Sequence, residues 1–385
     1  MGKLTKILDL YDIYYLRQSK KNEIKKFQDP RRVKIYSSFE LTKAQKKEID
    51  DLYVNNYGEK IPYTWHKHFS AFTGKFDKYY FPELLFIPEF EYFMNKSANN
   101  VHKTFEDKNI IPMFANFTDC KIPQTLFSSS LGVIQDANHN IVSKGFIQKN
   151  LQGECFIKPS VDTCSGVGCQ VLDVENGIDK LSGATLESIL TEKGQNWVIQ
   201  ERLKCHKSIS DVYANSVNTF RILTYIWKDE ICNVPVIMRI GQGGGNLDNA
   251  HAGGMFIAIS DEGVLHKTAF TEFNQSFKEH PDTKIKFEGY KIDLFPKVLE
   301  KAKQMHSLIP QIGCISWDFT LTKDGEPCLI EMNTSGGSIW FFQMAHGCGP
   351  FGNKTPEILR WMKLMKSLKK SQRSKYLYGK MDSDF

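Results

Sequence analysis

No run in this 385-residue chain approaches the roughly 18 to 20 apolar residues that a membrane-spanning helix needs. The opening Met1-Gly2-Lys3-Leu4-Thr5-Lys6 has no apolar stretch of signal-peptide length, and Lys6 stands where a myristoylation motif requires Ser or Thr. The nine cysteines are odd in number and include no Cys-x-x-Cys pair, which argues against a metal knuckle and against a disulfide framework. Most lie in apolar runs such as Glu154-Cys155-Phe156-Ile157-Lys158, where a thiol behaves as a small buried hydrophobe. The expectation is a reduced, cytoplasmic protein. A Walker A loop, a Gly-x-Gly-x-x-Gly loop, a Ser-His or Cys-His nucleophile arrangement and a nucleic-acid reader motif are all missing. Internal repeats and low-complexity stretches are missing too.

What is present is an ordinary globular composition, 41% hydrophobic and 24% charged, over a length that suits two or three structural units. The net charge of +6 is unevenly spread. Lys20, Lys21, Lys25, Lys26, Arg31, Arg32 and Lys34 crowd the start, and Lys363, Lys366, Lys369, Lys370, Arg373, Lys375 and Lys380 crowd the end. Solvated helix faces explain such clusters, as does peripheral contact with an anionic membrane or a lipid-linked glycan.

Residues 1 to about 104 read as a mainly helical region, with a helix over Lys43 to Asn55 after Thr42. Strand-length apolar runs follow at 154–158, 169–174, 197–200, 219–227, 234–240 and 255–260. Val298, Leu299, Ala302, Met305 and Leu308 fall on one face of a helix over 295–308. Residues 313–322 and 327–332 form a hairpin through an Asp324-Gly325 turn. Ile358, Trp361, Met362, Met365 and Leu368 line one face of a basic C-terminal helix. The fold class is α+β with antiparallel sheets.

The hairpin carries the strongest chemical pattern, Asp318 on one strand and Glu331-Met332-Asn333 on the other. Alternation puts Glu331 and Asn333 on one face, and Asp318 can face them from the partner strand. Hard oxygen donors grouped this way suit Mg²⁺, which keeps waters and phosphates as its other ligands. Exposed strand charges are the alternative, but the flanking runs CISWDFTL and PCLIEMN are apolar, and charges set among them need partners. Lys158-Pro159 with Gly166 and Gly168 offers a cation and backbone N–H groups for phosphate oxygens, and a plain β-hairpin explains the glycines about as well. Gln200-Glu201-Arg202-Leu203 ends an apolar strand, either as an adenine-pairing hinge or as a surface strand end. Arg221 lies inside the apolar run Phe220-Arg221-Ile222-Leu223, where a buried guanidinium requires a phosphate or a structural carboxylate. Arg239, Asn249 and His251 surround Gly243-Gly244-Gly245, and His251 is either a general base or an ordinary loop histidine.

These pieces occur in an order that resembles the ATP-grasp superfamily, and within it the sugar-transfer-associated group related to α-L-glutamate ligases. The resemblance covers roughly residues 105 to 350. It implies a helical N-terminal region over 1–104, a small lobe with its lid over 105–200, and a large lobe over 201–385 that holds the metal site, with ATP between the lobes. It further implies that Lys108, Lys158 and the lid residues Ser165, Gly166 and Gly168 hold the nucleotide. Gln200, Glu201 and Leu203 would form the adenine hinge, with Asp211 or His206 as ribose candidates. Arg221 would sit near the transferred phosphoryl group, and Arg239 and Asn249 near substrate and phosphate. Mg²⁺ would lie on Asp318, Glu331 and Asn333. The implied activity is ATP-dependent ligation of a carboxylate to an amine in surface-polysaccharide synthesis, with a small-molecule or sugar-linked substrate and no nucleic acid. A sugar kinase and a non-catalytic carbohydrate binder are the rival readings.

Overall fold

The structure, a computed structural model, describes residues 2–96, 101–161 and 166–384. Its N-terminal third is helical, with helices at Gly2–Lys26, Pro30–Ser37, Lys43–Tyr57 and Thr64–Thr73. The third of these begins where expected, on Thr42. The Thr42 hydroxyl accepts from Gln45 N while the Gln45 side chain accepts from Thr42 N, a reciprocal cap. It runs two residues past the expected end and stops at Gly58, whose φ of +91° suits the left-handed C-terminal cap.

Two antiparallel sheets follow. The smaller contains β1 (Thr125–Ser130), β2 (Val133–Asp136), β3 (Gly153–Pro159), β4 (Gln170–Glu175), β5 (Ile178–Asp179) and β6 (Trp197–Glu201), in the order β2-β1-β6-β3-β4-β5. Cys155, Ile157, Leu172 and Ile199 face helices Lys144–Asn150 and Leu186–Lys193 and form its core. Strand alternation therefore sends Phe156, Lys158 and Gln200 to the opposite face.

The larger sheet contains β7 (Thr219–Trp227), β8 (Glu230–Asn233), β9 (Ile237–Ile240), β10 (Met255–Ile259), β11 (Leu265–Phe270), β12 (Ser276–Phe277), β13 (Cys314–Leu321) and β14 (Pro327–Asn333). Its order is β12-β11-β10-β9-β7-β13-β14, with β8 pairing the far half of β7. The run expected from Val234 enters the sheet only at Ile237, because Pro235 has no N–H to donate. Phe220, Ile222, Met238, Ile257, Trp317 and Phe319 pack one face onto helix Phe295–Ser307. On the other face Leu223, Tyr225, Ile237 and Phe256 pack under the N-terminal helices and under helices Trp340–His346 and Thr355–Ser367. At the start of β7 the apolar residues of that second face give way to charge.

Several terminal basic side chains pair internally. Lys20 and Lys366 meet at the buried Glu89, and buried Arg373 binds Asp12 at 2.5 Å. The C-terminal helix ends at Ser367, one residue short of expectation, because Leu368 turns to extended backbone. The eight described cysteines are free thiols. Among the described residues no helix is long and apolar enough to cross a membrane.

Glu83 is a buried acid with no ion pair among the described residues. It is 3% exposed, and neither of its carboxylate oxygens has a hydrogen-bond partner among the described residues. Burial pushes its pKa up to about 7, against the opposing pull of Arg32. The folded state thus holds a proton that the unfolded chain releases near its ordinary value of 4.5. Between those two values folding binds the extra proton, so stability falls as pH rises. The Glu83→Gln variant is expected to match the wild type near pH 4 and to exceed it by about 3 kcal/mol at pH 8 in urea titrations, since each tenfold difference in acidity between the folded and unfolded chains is worth about 1.4 kcal/mol. A constant difference between the two proteins across that range would contradict this account.

Candidate nucleotide and metal site

Register decides which side chains meet. Asp318 is paired with Glu331 on one side and with Arg221 on the other, and Arg239 is paired with Thr219. Paired residues share a sheet face, so Glu331, Asp318, Arg221, Thr219 and Arg239 form one polar row across four strands. A bulge in β14 completes the row. Phe319 pairs with Leu329 while Asp318 pairs with Glu331, so Ile330 is extra. Strict alternation would put Leu329 and Glu331 on one face, whereas the bulge leaves Leu329 in the core and turns Glu331 toward Asp318.

Asp318 is 2% exposed and is held from two sides. Arg221 grips it in a two-pronged pair, Nε to Oδ1 at 2.5 Å and Nη2 to Oδ2 at 3.0 Å. Arg239 Nη2 lies 3.1 Å from Oδ2. Arg239 also donates to the Thr219 hydroxyl and approaches Asp248 at 3.4 Å. Asp248 in turn accepts from Thr219 N at 3.0 Å and from its hydroxyl at 2.5 Å. Burial opposes the charge on Arg239, but Asp248 and Asp318 more than offset it and raise its pKa. Burial also pushes the Asp248 carboxyl upward, against Arg239 and the Thr219 hydrogen bond.

Two lysines approach from the other side. Lys108 lies 3.1 Å from Glu331, and its backbone N–H donates to Ser160 at the end of β3. Lys158, from the face of the small sheet that turns away from its own core, donates to the Ile330 carbonyl at 3.4 Å. Among the described residues no carboxylate lies within ion-pair distance of its ammonium. Burial lowers its pKa, aided by Lys108 and opposed by Glu331. Among the described residues the row and the two lysines bring together Lys108, Lys158, Arg221 and Arg239 with Asp248, Asp318 and Glu331, and of the four cations Lys158 is the one without a carboxylate at ion-pair distance.

Gly166 and Gly168 have φ of +75° and +78°, and a Cβ on Gly166 would stand 2.8 Å from the Leu247 side chain. The lid loop thus touches the glycine-rich loop of the large sheet. Ser165, the remaining expected lid contact, lies outside the described residues.

The other expected residues have defined places. The Gln200 amide donates to the Pro123 carbonyl at 3.3 Å. Glu201 is occupied on both sides: its backbone pairs with Cys155 and with Gln124, and its carboxylate accepts from Gln124 N at 3.2 Å. The chain leaves the sheet only at Arg202, with Leu203 half-buried beyond it. His206 caps the short helix Lys207–Ser210 by accepting from Ser208 N, and exposed Asp211 ends that helix. Asn249 caps the turn 250–252 through its own side chain. His251 pairs with Glu272 at 2.6 Å and lies against Trp340, so its ring engages these two side chains rather than Asp318 or Glu331.

Four contributors escaped sequence reasoning: Asp248, Glu91, Asn95 and Glu106. Asp248 sits in the glycine-rich loop, and only the need of a buried Arg239 for a carboxylate hints at it. The others brace the loop that follows Asn333. Asn95 holds Cys314 and Thr334 carbonyls at 2.8 and 2.6 Å and accepts from Gly313 N and Cys314 N, both at 3.0 Å. Glu91 accepts from Gly336 N and Gly337 N at 2.7 and 2.6 Å, and Glu106 accepts from Thr334 and Ser335 hydroxyls. Glu91 and Asn95 lie on a wide-wound helix, Phe86–Lys96, of the kind that tends to occur at functional sites.

The family model for sugar-transfer associated ATP-grasp proteins matches residues 88–356. The chain belongs to that family. Solved structures similar to this ATP-grasp protein include the VanG D-Ala:D-Ser ligase from Enterococcus faecalis, at 14% identity and TM-score 0.38, covering 68% of this chain and 61% of that one. N5-carboxyaminoimidazole ribonucleotide synthetase from Thermotoga maritima follows at 11% identity and TM-score 0.33, covering 61% and 43%. An L-amino acid ligase from Bacillus licheniformis is similar at 15% identity and TM-score 0.34, covering 63% and 47%. The chain thus spans from 43% to 61% of the length of these proteins. No curated protein matches the chain.

The charged row pairs Asp318 fully, whereas Lys158 has no carboxylate at ion-pair distance among the described residues, and the two are expected to respond differently to substitution. Asp318→Ala strips two buried guanidinium groups of their shared partner and is expected to cost about 3 to 5 kcal/mol in urea unfolding. Lys158→Met removes a buried ammonium that lacks a carboxylate, and without nucleotide it is expected to leave stability unchanged or to raise it. Equal destabilisation by both variants would contradict the distinction.

Proposed function

We propose that this ATP-grasp protein is an ATP-dependent ligase that activates a carboxylate as an acyl phosphate and joins it to an amine or similar nucleophile, in the synthesis of a surface polysaccharide or another glycan. The observation that carries this reading is Lys158, a buried cation with no carboxylate at ion-pair distance among the described residues, where the small sheet meets the large one near Lys108 and Glu331. Cations grouped this way suit a triphosphate, which makes charge-assisted hydrogen bonds to each of them.

The residues divide the work. Lys158 and Lys108 bind phosphate oxygens from the small-sheet side. Arg221 keeps one guanidinium nitrogen, Nη1, without a protein partner among the described residues, available to the phosphoryl group in flight. Arg239 and Asp248 hold Arg221 and Asp318 in register. The substrate carboxylate oxygen attacks the γ-phosphorus, the bond from γ-phosphorus to the bridging oxygen breaks, and ADP leaves. The amine then attacks the acyl carbon, the bond to the phosphate oxygen breaks, and inorganic phosphate departs as the amine loses its proton. The protein supplies positioning and charge, with no covalent nucleophile.

Among the described residues no group of three His, Cys, Asp or Glu side chains is arranged for a metal. The set Asp318, Glu331 and Asn333 depends on an amide oxygen as its third donor, and its all-oxygen chemistry fits Mg²⁺. Asn333 shares the Glu331 face, and its side chain has no hydrogen-bond partner among the described residues. Mg²⁺ held there would neutralise part of the triphosphate charge.

Two measurements test this reading. Lys158→Met is expected to weaken ATP binding about tenfold or more in calorimetry, a loss of about 1.4 kcal/mol or greater. Asn333→Ala is expected to raise the Mg²⁺ concentration that half-saturates nucleotide binding, with unfolding unchanged. Terminally labelled ATP then separates the chemistries: ligation frees labelled phosphate and joins two substrates, whereas label retained on a hydroxyl acceptor would assign a kinase. Wild-type protein that binds no MgATP would overturn both.

A further inference from the structure

A second concavity lies on the same face of the large sheet as the charged row. Arg239 is paired with Phe256, Phe256 with Phe270, and Phe270 with Ser276, so these four share a face across β9, β10, β11 and β12. At about 4.8 Å per strand, β11 lies about 10 Å from β9. Beside β11 and β12 a groove of about 950 Å³ opens between the sheet edge, helix Thr64–Thr73 and the end of helix Trp340–His346. That volume is within the range of small-ligand sites.

The groove is basic. Lys75, Lys267, Lys278 and Lys284 line it, with Glu279 as its one acid. Lys267 is 3.4 Å from Glu288, and the Lys284 ammonium donates to the Pro281 carbonyl. Lys75 and Lys278 have no ion-pair partner among the described residues. Burial pushes His346 down to about 4 and His266 in the same direction, so the charge rests on the lysines. Phe277 adds part-exposed ring surface over the buried Phe72 and Phe270, and Thr73, Thr268 and Ser276 add hydroxyls.

The groove is also tied to the nucleotide cleft. Its rim segment 279–284 grips the glycine-rich loop: His280 Nε2 donates to Gly241 O at 2.8 Å, and Asp282 accepts from Gly243 N at 2.7 Å. The same loop carries Leu247, which meets the lid at Gly166. At one end of helix Trp340–His346 stands His251, against Trp340, and at the other end lies the groove. The helix spans about 10 Å at 1.5 Å per residue.

We infer that this groove binds an acidic saccharide, a sugar chain bearing carboxylate or phosphate groups, as the distal part of a substrate whose reacting end lies at the ATP site. Lysines neutralise the acid groups, hydroxyls meet the sugar hydroxyls, and the Phe277 ring covers an apolar sugar face. A concave site of this size admits a short chain edgewise, whereas a flat bilayer meets only its rim. This inference rests on the ligase reading for the substrate's role, but the binding itself can be measured without catalysis.

The test is binding of oligogalacturonate, of a phosphorylated glucan fragment and of an uncharged glucan of equal length to the full chain, with MgATP affinity measured in the same samples. Wild type is expected to bind at least one of the two acidic chains, and preference between them names the acid group. Binding is expected to weaken with salt, and about tenfold in Lys75→Glu/Lys278→Glu, with MgATP affinity unchanged. Lys75→Arg/Lys278→Arg is expected to retain it. Absence of binding to both acidic chains, equal binding of the uncharged glucan, equal binding of polyglutamate or of a single-stranded oligonucleotide, or unchanged binding in the Glu variant would each overturn the inference. Loss of MgATP binding in the wild type would sink the ligase reading and leave the groove result standing.

Discussion

The grip of Arg221 and Arg239 on Asp318 organises the molecule. Three charges on three adjacent strands, all nearly buried, are tolerable only because they satisfy one another at hydrogen-bonding distance. That requirement sets the register of β7 against β9 and β13, and a slip of one residue would turn Arg221 into the core that holds Phe220 and Ile222. The charged row is therefore a structural device before it is a chemical one, which gives the site a rigid base on strands rather than loops.

On that base the protein places a second, looser set of groups. Lys158 and Lys108 come from elements outside the large sheet and meet it only at Ile330 and Glu331. Asp318 is paired by two guanidinium groups, whereas Lys158 meets only the Ile330 carbonyl among the described residues. Among the described residues Lys158 is buried with no carboxylate at ion-pair distance. The N-terminal helices take part in the same arrangement, because Glu91 and Asn95 fasten the backbone on either side of the hairpin that carries Asp318 and Glu331.

Much of the architecture was legible. The helix after Thr42, the strands at 153–159, 219–227 and 255–259, and the Asp324-Gly325 hairpin follow from caps, apolar runs and turn residues, all of which act within a few positions. The Asp318 and Glu331-x-Asn333 pattern was legible because acids inside apolar strands are costly without partners. Asp248 was not, since a single acid in a glycine-rich loop looks like any surface acid until Arg239 is seen above it. Nor were Glu91, Asn95 and Glu106, whose partners lie more than two hundred residues away in sequence. The bulge at Ile330 was equally hidden, because alternation alone already put Glu331 and Asn333 on one face and left their relation to Asp318 to the pairing.

Local chemistry thus determined which segments are helix or strand, and which side chains are too polar for where they stand, because propensity, capping and burial cost are properties of neighbours along the chain. The tertiary structure decided the partners. Which carboxylate neutralises which arginine, and which lysine is left over, depends on strand register and on the approach of one sheet to another, and those are set by packing between residues far apart in sequence.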